Sequence, residues 1–167
     1  MRIIGLDGGH TVYELGPVSD VVLFFRCLSV FAEASQPEKD WGLLTDRLYK
    51  RYLRIEELDQ AASLMGSVKI VFASLPISSV GWDIDLLQDC TKTWLDINNE
   101  TLADVFSKYF DIFIKAKNSA TSFLDNFGVY QPVKIVPSDM PLFMIEKERS
   151  LADYDNLKRD DLPFWLC

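Results

Sequence analysis

The stretch SDVVLFFRCLSVFAEA, residues 19–34, constrains the fold more than any other part of the chain. Its helical pattern places Val21, Leu23, Phe24, Phe25, Leu28 and Phe31 around most of the circumference and not along one stripe. A helix apolar on nearly every side must be buried, so this one belongs in the middle of a domain, with other elements around it. Ser19 reads as its N-cap, and Asp20 in the first turn suits the positive end of the helix dipole. The apolar run Val21–Phe25 ends at Arg26, far short of the roughly 18–20 residues needed to span a bilayer.

The partners for that helix are legible on both sides of it. Arg2–Leu6 and Thr11–Leu15 are short β-prone runs, and Asp7-Gly8-Gly9-His10 between them supplies the residues of a hairpin turn. A second helix is expected over Asp40–Leu53, where Trp41, Leu44, Leu48 and Tyr52 recur at 3- and 4-residue spacing. Trp41 on this stripe reads as core. Lys50, Arg51 and Arg54 at the end of that helix suit the negative end of its dipole. A third helix, Glu56–Phe72, buries Leu58, Ala61, Ala62, Met65, Val68 and Phe72, and Pro76 stops it. Helical patterns follow over Glu100–Phe110 and Ile112–Phe127, the latter closed by Gly128, and Val133–Val136 reads as a strand. The expected class is α+β in one domain of 167 residues: a small antiparallel sheet with an N-terminal hairpin, packed on four or five helices.

Charge divides the chain unevenly. Twenty-five acidic against 17 basic side chains give a net −8, a field that repels nucleic acid and anionic lipid and favours a cationic protein. Between Trp82 and Asp111 lie Asp83, Asp85, Asp89, Asp96, Glu100, Asp104 and Asp111, against only Lys92 and Lys108. Seven acids less two lysines leave −5, more than half of the total excess. Trp94, among charged and polar neighbours, is the tryptophan best placed for partial exposure at a binding face. Asp83, Asp85, Asp89, Trp94, Asp96, Glu100 and Asp104 are therefore the candidate partner-binding residues. No secretory pattern opens the chain, and Cys27, Cys90 and Cys167 form no C-x-x-C pair. Both features are those of a cytoplasmic protein with reduced thiols.

Catalytic and metal-binding readings find little to build on. Asp7-Gly8-Gly9-His10-Thr11 is similar to the first phosphate loop of sugar kinases and actin-like ATPases, but a second such loop and the length for two lobes are missing. His10 is the single histidine, so a histidine triad or a multi-histidine zinc site has no material. Asp83-Ile84-Asp85 opens like a calcium loop, yet Leu87, Gln88 and Trp94 occupy its fifth, sixth and twelfth positions. The expectation is a non-enzyme with no cofactor and no metal. A small hydrolase or nucleotide-binding protein using Asp7 or the Asp83/Asp85 pair is the alternative.

Four stretches in order carry a family resemblance: DWGLLTDRLYKRYL, EELDQAASLM, VGWDIDLL and TLADVFSKYF. Together with the strand, Gly-containing turn and paired phenylalanines of Ile3–Phe25, they resemble the immunity protein 70 family of bacterial polymorphic toxin and contact-dependent inhibition systems. The resemblance covers roughly residues 1–128, and 129–167 forms an extension. It departs at Thr91–Leu95, where the family often has Pro-Pro-Trp-Gly, and after Tyr109-Phe110, where a Thr-Ser-x-Gly turn is usual. The resemblance implies a non-catalytic protein that neutralises a cognate toxin C-terminal domain, often a nuclease, by stoichiometric binding.

Overall fold

The computed structural model describes residues 2–9, 11–80, 101–138 and 150–166. Three strands form one antiparallel sheet: β1 (Ile3–Asp7), β2 (Val12–Pro17) and β3 (Lys134–Pro137), in the order β2-β1-β3. The hairpin of the first two strands thus gains its third member from the far end of the sequence. Register sets Asp7 opposite both Val12 and Lys134, and a bulge between Ile4 and Gly5 bends the β1–β2 pair.

Helix α1 (Val18–Cys27) follows β2 directly and continues as a π-helical segment, Leu28–Glu33. Its N-cap is Pro17 and not Ser19: Pro17 is extended (φ −61°, ψ 153°), and the Val18 amide turns back to the Arg2 carbonyl at 3.3 Å. The proline fixes φ and carries no N–H, so the helix starts at the first residue after it. The helix is central, as its composition requires. Phe24 is the hub, with the rings of Phe25, Phe72, Phe106, Tyr109 and Phe110 centred 5.0–6.0 Å from it.

The expected second helix is shorter and wider than its stripe implies, with a π-helical segment at Leu43–Leu48. Trp41, Leu44, Leu48 and Tyr52 are all buried, as their spacing requires. The chain leaves helical geometry before Tyr52, because Leu53 exchanges backbone hydrogen bonds with Val133 at 2.8 and 3.3 Å. Helix α2 (Leu58–Ala73) buries Leu58, Ala61, Leu64, Met65, Val68 and Phe72 along one side. Helices α3 (Leu102–Val105) and α4 (Ser107–Phe127) break at Phe106, five residues before the break expected at Asp111. Phe106 departs from helical backbone (φ −95°, ψ 13°), and its side chain, 1% exposed, is spent on the aromatic hub. Gly128 ends α4 in the left-handed region (φ +69°), its amide donating to the Leu124 carbonyl.

Residues beyond 128 are built into the same core. Val133, Ile135 and Trp165 belong to the main hydrophobic cluster. Helix α5 (Leu151–Asp155) and the turn after it dock on the end of the second helical region. There Arg51 donates to the carbonyls of Tyr154, Asp155 and Leu157, and the Trp165 indole N–H donates to the Tyr49 carbonyl at 2.8 Å. Lys50 and Arg51 therefore bind another part of the chain, Lys50 reaching the Arg159 carbonyl. Sequence position alone had assigned both to their own helix dipole.

Candidate functional site

Of the candidate partner-binding residues, Asp83, Asp85, Asp89, Trp94, Asp96 and Glu100 lie outside the described residues. Asp104 is described, and it lies at the start of a helix anchored beside α2. Thr101 pairs with Pro76, and the Leu102 amide donates to the Leu75 carbonyl at 2.9 Å. Thr101 and Leu102 thus lie beside the end of α2.

A reciprocal cap closes the start of α3. The Thr101 backbone N–H and hydroxyl each donate to Asp104 Oδ2 at 3.0 Å, and the Asp104 amide donates to Thr101 Oγ1 at 3.3 Å. This is the capping box, in which the side chains three residues apart satisfy each other's backbone donors. The Thr101 backbone donor, and secondarily its hydroxyl, hold the Asp104 carboxyl below the usual carboxylate range. Asp104 is nevertheless exposed, as is Asp111 near the start of α4, and neither makes an ion pair among the described residues. Several cations of the chain are occupied elsewhere: Arg47 by Glu57, Arg51 by Asp46, Lys117 by Asp59 and Lys134 by Asp7.

The aspartate of the N-terminal turn has a different fate. Asp7 is 1% exposed; its Oδ1 accepts the Gly9 amide at 2.8 Å and its Oδ2 accepts Lys134 Nζ at 3.0 Å. Gly9 sits at φ +103°, and a Cβ on Gly8 would come within 3.0 Å of the Ala116 Cα on α4. Backbone conformation and close packing thus account for both glycines, with no phosphate needed. Asp7 offers no free carboxylate to a substrate. His10 lies outside the described residues.

Among the described residues no group of three or more His, Cys, Asp or Glu side chains is placed to hold a metal ion. No helix among them is long and apolar enough to cross a membrane. Cys27 is buried and forms no disulfide among the described residues.

A second concavity escaped the sequence reading. Val22, Phe25, Arg26 and Ser29 from the first helical region face Thr45 and Tyr49 from the second across a groove of about 220 Å³. The sole sequence signal was Arg26, a charge set into an otherwise apolar helix. No family model, curated protein or solved structure matches the chain.

Proposed function

We propose that this chain is an immunity-type protein of the cytoplasm that binds a cognate toxin domain and neutralises it without catalysis. The observation that carries the reading is the segregation of charge. Residues 82–111 hold a net −5, and the described acids of that stretch, Asp104 and Asp111, are exposed and make no ion pair among the described residues. A nuclease toxin must present a cationic surface to nucleic acid. An acidic face complements such a surface, speeds encounter and competes for the same patch. Stable complexes of this kind bury about 1,600 Å² in total.

The test uses the toxin domain encoded beside this chain's gene. A 1:1 complex is expected, with an association rate that falls steeply as salt rises. Reversing Asp83, Asp85, Asp89 and Asp96 to Lys should slow association by roughly tenfold or more at low salt and weaken protection of the cell. A complex whose rate ignores both salt and these reversals would sink the acidic-face assignment. Failure of the full chain to protect cells from the neighbouring toxin would sink the immunity reading itself.

A further inference from the structure

The groove between the two π-helical regions has the chemistry of a small-molecule site. Phe25 and Tyr49 line it with rings in contact, their centroids 4.9 Å apart and their planes tilted by 58°, and Val22 adds apolar surface. Against these stand three donors. Arg26 is exposed and makes no ion pair or hydrogen bond among the described residues. The hydroxyls of Ser29 and Tyr49 likewise make no hydrogen bond among them. Thr45, the remaining polar lining residue, donates its hydroxyl to the Trp41 carbonyl at 3.0 Å and leaves an oxygen lone pair for the groove. Burial raises the Tyr49 phenol above its usual value, so it stays a neutral donor at physiological pH.

The backbone supplies a second, independent observation. Both walls run through π-helical segments, Leu28–Glu33 carrying Ser29 and Leu43–Leu48 carrying Thr45. Such segments are rare in ordinary helices and concentrate at functional sites. Each adds a residue to the turn and re-aims the side chains that follow. Here two of them flank one cleft.

We propose that this groove binds a small organic carboxylate with an aromatic or compact apolar body. The planar guanidinium of Arg26 suits bidentate pairing with a carboxylate, and Ser29 and Tyr49 supply further donors. The apolar part of the ligand rests on Val22 and Phe25. At about 220 Å³ the groove lies below the roughly 300 Å³ lower end of clefts for drug-sized ligands, which limits the ligand to a single ring or its equivalent. A phosphate-bearing nucleotide is too large and too polar for this lining. The site is independent of toxin neutralisation, and its ligand would be free in solution.

Titration of the full chain with phenylacetate, followed by amide and side-chain NMR shifts, tests the assignment. Saturable shifts confined to Arg26, Ser29, Thr45 and Tyr49 are expected at millimolar probe. Benzyl alcohol and phenethylamine, of similar shape without the negative charge, should bind at least tenfold more weakly. Arg26→Ala, an exposed change that spares the core, should weaken phenylacetate by about tenfold, or 1.4 kcal/mol. Arg26→Lys should recover part of that loss. Equal binding of the three probes, binding indifferent to Arg26→Ala, or no saturable shift would each overturn the proposal. The Trp165 indole N–H, hydrogen-bonded to the Tyr49 carbonyl, reports in every variant whether the fold is intact.

Discussion

Asp7 and Asp104 both organise a tight local structure with a carboxylate, yet they end in opposite states. Asp7 caps the hairpin turn through the Gly9 amide and is then sealed by Lys134, arriving from β3, with both side chains almost inaccessible. Asp104 caps α3 through Thr101 and stays in solvent, with no cation beside it among the described residues. What separates them is the arrival of a cation from a distant strand. A buried carboxylate without its partner would carry a desolvation cost of several kcal/mol, so Asp7 is committed to the fold. An exposed one costs little, and its field remains available to another molecule.

The same substitution at the two sites separates these states. Asp7→Asn keeps an oxygen for the Gly9 amide but strands Lys134 Nζ in the core. Loss of one member of a buried pair typically costs about 3–5 kcal/mol, and chemical denaturation should show a drop of that order. Adding Lys134→Met removes the orphaned charge, and the double variant should regain most of the loss. A single variant with unchanged stability would mean that the pair is not sealed, and the contrast with Asp104 would collapse. At the other end, Thr101→Ala removes the hydroxyl that receives the Asp104 amide. A lost cap costs about 1 kcal/mol, and the effect should be confined to the start of α3, read as faster amide exchange at Leu102–Val105. An effect as large as that of Asp7→Asn would place Thr101 in the core network as well.

Much of this contrast was hidden from the sequence by distance along the chain. The hairpin, the buried stripes of Trp41–Tyr52 and Leu58–Phe72 and the Gly128 stop are local patterns, and each is found where its periodicity places it. The α+β class follows from them. The order β2-β1-β3 does not, because pairing of residues 7 and 134 depends on which strand fills the free edge of the hairpin. A lysine inside a β-branched run reads as solvent-facing, and Lys134 is 3% exposed. The break at Phe106 was displaced because the ring's place in the aromatic hub outweighs helical continuity. Arg51 was credited to its own helix dipole, since its three carbonyl acceptors lie more than a hundred residues away. For the candidate site, composition located the charge, and Asp104 is the one member whose geometry is described. The 220 Å³ groove left only Arg26 as a trace, since π-helical widening has no periodicity of its own.

The smallest expected effect is also the most diagnostic of Asp104. Its folded carboxyl sits below the ordinary aspartate range, first through the Thr101 backbone donor and then through the Thr101 hydroxyl. A depressed carboxylate contributes its stabilisation fully above the unfolded pKa and loses it as pH falls through the folded one. The cap should therefore hold at neutral pH and loosen only under more acidic conditions than an ordinary aspartate would require. Followed by NMR, the Thr101 amide shift should titrate with a midpoint below that ordinary value, and Asp104→Asn should abolish the titration. A midpoint at or above it would mean that the cap is not formed in solution. Asp104→Asn retains an acceptor for the cap, so its denaturation midpoint should stay close to the parent's. Its association with a cationic partner should nevertheless slow, because one unpaired negative charge has gone. A substitution that Asp7 cannot tolerate would then pass unnoticed by the fold and be registered only by the partner.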